Sequence, residues 1–208
     1  MKKILYCILH GSMNPQRYYN VKETWGKDVD CLFYSDHEDK EKNIVKVSNR
    51  TDYHSNEEKH INSLKYINEN HKGYEWYFFC DDDTFVDIIK LEKLLDTLDK
   101  DSVYGSVIHS WPRDKTLGYC SGGAGYLISN KLLEIIGVNI EILKTGYSDV
   151  TLGIYLRNSN IEVKDLDFFK SQPPESYSLN ELDIPKYITF HYIKTKEKMS
   201  YLSSLNNL

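Results

Sequence analysis

Residues Trp76-Tyr77-Phe78-Phe79-Cys80 form an unbroken apolar run that stops against three consecutive aspartates, Asp81, Asp82 and Asp83. A run apolar on both alternating faces belongs to a strand covered on both sides, not to a solvated sheet edge. The charge that follows must therefore emerge where the strand leaves the sheet. In open α/β sheets that place, beyond the carboxyl end of a strand, is where ligands bind.

The rest of the chain supplies the sheet and its cover. Near-continuous apolar character predicts strands at residues 3–9, 31–34 and 44–47. Asn14 with Pro15 opens a helix carrying Tyr18, Val21 and Trp25, with Gly26 as its stop. Ser55 and Glu58 read as a capping box for a helix through Ile61, Leu64 and Ile67, closed by Gly73. Asp87 caps a helix whose apolar face includes Ile88, Leu91, Leu94, Leu95 and Leu98. A strand near 103–108 precedes the loop Ser121-Gly122-Gly123-Ala124-Gly125 and a short helix ending at Gly137. A helix from about Asp149, a strand at 161–166 and a final strand near 187–193 complete the pattern. Such alternation predicts an α/β fold, a mostly parallel central sheet flanked by helices, in one domain spanning residues 1–208.

Composition narrows the function. The 208 residues carry 26 basic and 31 acidic side chains, a formal charge of −5, which argues against nucleic acid as a partner. The apolar stretch after Lys3 is too short for a signal peptide and runs into His10, and no segment approaches membrane-spanning length. Cys7, Cys31, Cys80 and Cys120 are scattered without a C-x-x-C pair, so free thiols in a reducing, cytoplasmic compartment are expected.

Three adjacent carboxylates repel one another unless solvated or neutralised. On an extended chain Asp81 and Asp83 point together and Asp82 away. Hard oxygen ligands of this kind suit Mg²⁺ or Mn²⁺ bridging to a diphosphate. The aspartyl-phosphate motif D-x-D-x-T is excluded by register, because Phe85 stands at its threonine position. Gly122 and Gly123 let backbone approach a ligand and offer N–H groups to oxygen. Taken alone, Asp149 reads as a first-turn helix carboxylate. His191, between Phe190 and Tyr192, reads as a hydrogen-bonded core histidine, and Lys194, Lys196 and Lys198 as a solvated face.

The order of these segments resembles the Fringe and core-1 β-1,3-galactosyltransferase group of inverting glycosyltransferases. The likeness runs through Val21-Lys22-Glu23-Thr24-Trp25-Gly26, Leu32-Phe33-Tyr34-Ser35-Asp36, Lys59, and Trp76 to Val86. It continues through Gly118-Tyr119-Cys120-Ser121-Gly122-Gly123-Ala124-Gly125-Tyr126, Ser148-Asp149-Val150-Thr151-Leu152-Gly153 and Ile188-Thr189-Phe190-His191-Tyr192. It implies a GT-A nucleotide-binding fold, a UDP-sugar donor, Mn²⁺ and a glycan or glycoconjugate acceptor, with a β-1,3 type linkage; the alternatives are a GT-A transferase of other linkage or stereochemistry and a non-catalytic module that binds a UDP-sugar or glycan. By position, the resemblance makes Asp83 and His191 metal ligands and Asp149 the catalytic base, against the plainer readings of Asp149 and His191. It sets Asp81 and Asp82 on the ribose and diphosphate side of the donor, and Arg17, Asp36 and Lys59 along the nucleotide pocket. The chain departs from the group at Ser148, where relatives often carry Asp or Glu. Golgi relatives have an anchor, a stem and disulfides, so the expectation here is a minimal cytosolic version of bacterial or viral source.

Overall fold

The computed structural model describes residues 2–205; Met1 and residues 206–208 lie outside it. In chain order the elements are β1 (Lys2–Leu9), α1 (Pro15–Lys22), β2 (Cys31–Ser35), β3 (Ile44–Lys46), α2 (Asn56–Asn70) and β4 (Tyr74–Asp81). Then come β5 (Phe85–Val86), α3 (Ile88–Leu95), β6 (Ser102–Gly105), β7 (Val107–Ile108), β8 (Tyr119–Cys120) and β9 (Tyr126–Ser129). The chain continues through α4 (Asn130–Asn139), α5 (Ser148–Asn158), β10 (Glu162–Asp165), β11 (Phe169–Lys170), β12 (Thr189–Phe190) and α6 (Lys196–Leu205).

Seven strands form the central sheet in the order β10-β6-β9-β4-β1-β2-β3. All neighbours pair in parallel except β9, which runs antiparallel to both β4 and β6. The carboxyl ends of β1, β2, β4 and β6 therefore share one rim, and the start of β9 joins them there. A small sheet of β11, β12 and β5 packs the C-terminal segment beside that rim, with Phe190 opposite Phe85.

The alternation along β4 explains why its run is apolar throughout. Trp76, Phe78 and Cys80 point into one core cluster with Tyr6, Val21, Leu91 and Met199, beneath α1, α3 and α6. Tyr77 and Phe79 point into the other, with Ile61, Leu64, Leu133, Ile136 and Leu152, beneath α2, α4 and α5. Each fully buried aromatic contributes about 1.5–3 kcal/mol relative to exposure, which makes β4 the strand on which both layers depend. No helix among the described residues is long and apolar enough to cross a membrane.

Several local expectations change. Ser55 takes helical dihedrals and gives α2 no side-chain cap; its hydroxyl donates to Asp52 O because a 3₁₀ turn at Tyr53–Ser55 leads in. Helix α1 stops at Lys22, and Gly26 instead closes a turn onto Val21 O at 3.0 Å. Gly137 lies inside α4, where a Cβ would meet Asn68 Cβ at 2.6 Å, so it serves close packing against α2 and not helix termination. Asp87 does cap α3, accepting from Lys90 N. The span near 103–108 is two strands with a break at Ser106. The final strand shrinks to Thr189–Phe190, and the lysines after it open helix α6.

All four cysteines are free and buried. Burial raises every one of the thiols, Cys31 up to about 12. Thiol titration of native protein should therefore register almost no fast reaction, and non-reducing denaturation should release four thiols. A denatured count of two or none would contradict the structure.

Candidate active site

Strand β4 delivers Asp81 in register with Leu9, so the residue after each strand end, Asp82 and His10, meets at the same rim. Asp82 N donates back to Leu9 O at 3.1 Å, and Thr84 N to Asp81 O at 3.1 Å. This tight turn splays the three carboxylates. Asp82 points to His10 Nδ1 at 2.7 Å and Arg17 Nη1 at 3.1 Å. Asp81 and Asp83 point the other way, with Asp81 Oδ2 at 3.4 Å and Asp83 Oδ1 at 3.1 Å from His191 Nε2. Asp81 and Asp83 do share a side, as expected, but the turn and not an extended strand puts them there, since β4 ends at Asp81.

Neighbouring elements lock the turn. Trp25 Nε1 donates to Thr84 O at 2.9 Å, Thr84 Oγ1 to Gly123 O at 2.7 Å, and Ile193 N to Asp83 O at 2.8 Å. His191 follows β12 directly, so it is not a strand residue. Its ring stacks on Tyr192 at 3.8 Å, and Tyr192 sits at φ +60°, a left-handed conformation uncommon for a bulky residue and held here by its surroundings. Gly123 makes room for the imidazole, since a Cβ there would stand 2.0 Å from His191 Cε1. Gly125, at φ +85°, likewise lies against the Phe78 ring.

The electrostatics follow from this packing. Burial works against charge on His191, but Asp81 and Asp83 outweigh it and lift its pKa to about 9. Burial also works against charge on Asp83, yet His191, Arg17 and Lys194 hold its pKa below the ordinary value. For Asp82 burial wins and its pKa is raised despite His10 and Arg17. Asp83 Oδ1 is buried and accepts no well-aligned hydrogen bond. Ligand atoms of Asp81, Asp83 and His191 all lie within 4.8 Å of one another. A buried, under-coordinated carboxylate oxygen beside a second carboxylate and an imidazole fits a divalent cation.

Two further groups flank this centre. On one side Asp36, after β2, accepts from Ser12 N at 3.1 Å and Ser12 Oγ at 3.0 Å, and pairs with the buried Lys59 at 3.5 Å. Burial opposes the Asp36 charge, but the Ser12, Ser35 and His37 hydrogen bonds prevail and depress its pKa strongly. His37 contacts Asp36 at 3.3 Å and the His10 ring at 5.7 Å, joining this pair to the aspartate turn. On the other side Asp149 stands in the first turn of α5, half-buried beside the Gly122 loop. Lost hydration and then the Asp81 charge push its pKa to about 6, against the Val150 and Gly122 N–H groups. Arg17, Asp36, Lys59, Asp81, Asp82, Asp83, Gly122, Gly123, Asp149 and His191 thus gather at one rim. The sequence reading passed over His10, although its place after β1 mirrors that of Asp82 after β4. Glu57, buried near α5, was missed as well.

The comparisons agree with this architecture. The sequence matches the Fringe-like family over residues 12–207. It is 26% identical over 193 residues to glycoprotein-N-acetylgalactosamine 3-beta-galactosyltransferase 1 of Xenopus laevis, an alignment that takes in 84% of this chain and 52% of that protein. The chain therefore spans about half the length of that curated relative. Among solved structures, a glycosyltransferase involved in glycosylation of the major capsid of PBCV-1 superposes with a TM-score of 0.58 at 14% identity, covering 97% of this chain and 99% of that one. The galactosyltransferase LgtC, solved with donor and acceptor sugar analogs, gives 0.60 at 12% identity, with 96% and 95% coverage. At such identities the superpositions establish the GT-A fold alone.

Asp149 offers a test of the site's electrostatics. Its carboxyl is held above the ordinary 3.8, so the folded state gives up stability as pH rises from about 4 through 6. A rise to about 6 corresponds to at most about 3 kcal/mol; partial exposure cuts this to about 1 kcal/mol. Asp149→Asn should raise the melting temperature above pH 6, with the gain vanishing near pH 4. A helix-start carboxylate would give the opposite sign at neutral pH.

Proposed function

This chain belongs to the Fringe-like family, and from that premise we propose that it is an inverting glycosyltransferase that moves a sugar from a UDP-sugar to a hydroxyl of a glycan or glycoconjugate. The observation that carries this is the grouping of Asp81, Asp83 and His191 at the strand ends with Asp149 within reach of their field. The name of the Xenopus relative makes a β-1,3 linkage and galactose the first choices to test.

Asp81, Asp83 and His191 would hold the metal, and the imidazole favours Mn²⁺ over Mg²⁺. When bound, such an ion acts as a Lewis acid toward the negative charge that develops on the departing diphosphate. Arg17, fixed against Asp82 and Asp83, adds positive potential on the same side. Asp82 has both oxygens engaged by His10 and Arg17, so its part is to orient Arg17. Asp36 and Lys59 line the nucleoside side, and Gly122 and Gly123 close the floor between donor and base.

In the transfer itself the acceptor oxygen attacks the anomeric carbon on the face opposite UDP. The bond from that carbon to the diphosphate oxygen breaks, and UDP leaves with the electron pair. Asp149 takes the acceptor's proton. A pKa near 6 makes Asp149 a stronger base than an ordinary carboxylate while keeping it ionised at neutral pH. Tyr53, Tyr147 and Tyr192 are exposed, and Tyr53 lies near enough to Asp81 and Asp149 to feel their charges. Aromatic faces of this kind suit the apolar face of a sugar.

Two measurements test the proposal. Calorimetry should find UDP binding that depends on Mn²⁺ and weakens roughly tenfold or more under chelator and in Asp83→Ala; unchanged affinity in both would remove the metal assignment. Transfer should rise with pH through about 6 and then level, and Asp149→Asn should lose about 10²–10⁴ in rate with UDP affinity preserved. Near-normal transfer by that variant would falsify the role of base.

A further inference from the structure

Helix α5 begins without a cap of its own. Tyr147, its N-cap residue, makes no side-chain capping bond, and the preceding residues 141–147 are mostly exposed, with Tyr147 at 53%. Little apolar packing fixes this loop, yet Asp149 depends on it, being the second residue of the helix. The missing anchor comes from α2. Glu57, 4% exposed, accepts from Thr145 N at 3.2 Å and Thr151 Oγ1 at 2.6 Å on Oε1, and from Gly146 N at 3.0 Å on Oε2. Thr145 Oγ1 extends the network to Thr151 Oγ1 at 2.8 Å and Tyr147 O at 2.8 Å.

Among the described residues no cation pairs with Glu57. A buried carboxylate satisfied only by hydrogen-bond donors is costly unless each donor is held in place, so the anchor and the loop order one another. Left-handed backbone flanks Thr145 on both sides, at Lys144 (φ +57°) and Gly146 (φ +85°), and the Thr145 and Gly146 N–H groups both face the carboxylate. The negative charge also lies against the N-terminus of α5, where the helix dipole favours it.

We propose that Glu57 is a positioning residue for the reaction: it holds the start of α5 through Thr145, Gly146 and Thr151 and so sets where Asp149 stands. The proposal rests on the reading of Asp149 as the base. Both Glu57 carboxylate oxygens are taken up by the loop and by Thr151 of α5, so it acts through them.

The test uses the full chain and four variants, Glu57→Gln, Glu57→Ala, Asp149→Asn and Glu57→Gln with Asp149→Asn. Amide hydrogen exchange, which needs no substrate, should accelerate at residues 145–151 by tenfold or more in Glu57→Gln while β4 stays protected. Unchanged exchange at those residues overturns the proposal. UDP release from UDP-galactose with Mn²⁺, with water as acceptor, should fall about 10–100-fold in Glu57→Gln and further in Glu57→Ala. UDP affinity by calorimetry should stay within twofold. In the Asp149→Asn background the Glu57→Gln loss should shrink below twofold. Equal losses in both backgrounds would mean that Glu57 does not act through Asp149. If Asp149→Asn alone keeps normal turnover, the base assignment falls and takes the positioning role with it, whereas failure of the cycle alone leaves Asp149 standing.

Discussion

The aspartate turn after β4 is the constraint on which the rest depends, because the fold must bring like charges together and still be stable. Two carboxylates about 4 Å apart repel by about 4 kcal/mol at an intermediate effective dielectric, a sizeable fraction of the stability of a protein domain. The chain meets this by dividing the three charges between two directions. Asp82 goes to His10 and Arg17, Asp81 and Asp83 to His191, with Arg17 bridging across to Asp83 at 3.2 Å. Each neutralising group comes from a different part of the sequence: the end of β1, helix α1 and the segment after β12. The turn's charges are therefore met only where these three segments come together. The raised pKa of His191 has the same origin: Asp81 and Asp83 favour the charged imidazole over the burial that opposes it.

That dependence explains what the sequence disclosed and what it hid. Strands β1, β2 and β4 were legible because burial on both faces leaves a continuous apolar run; the pairing of Asp81 with Asp83 was expected from alternation, but the turn after β4 makes it. Strand β9 was missed. Its four residues Tyr126–Ser129 sit between a glycine loop and a helix, too short for a period, and nothing local tells that they insert antiparallel between β4 and β6. Helix α6 was hidden by composition: Lys196 and Lys198 suggested a solvated face, while the buried stripe of Met199, Leu202 and Leu205 became meaningful only with a sheet beneath it. The Ser55 capping box has the right residues, but the preceding 3₁₀ turn claims the hydroxyl.

The site divides along the same line. Residues that announce themselves by clustering, the three aspartates and Gly122 with Gly123, could be found by reading. Asp149 and His191 had ordinary local explanations, a helix start and a core histidine, and only the family pattern argued otherwise. His10, Arg17 and Glu57 work through partners 72, 65 and up to 94 positions away. No window of sequence contains such a pair. Pairing of this kind is a property of the sheet order, which sets the end of β1 beside the end of β4 and packs α2 against α5.

Helix α2 then takes on a role beyond covering the sheet. Lys59 and Glu57, two positions apart, project about 200° from one another around a helix. Lys59 meets Asp36 after β2, and Glu57 meets the loop that leads into α5 and Asp149. Both side chains are buried, and both make their polar contacts inside the protein. Between them Ile61, Leu64 and Ile67 fix the helix to the sheet with no exposed surface of their own. A close-packed helix transmits displacement and does not absorb it. One buried element therefore ties the Asp36 side of the rim to the start of α5, which carries Asp149.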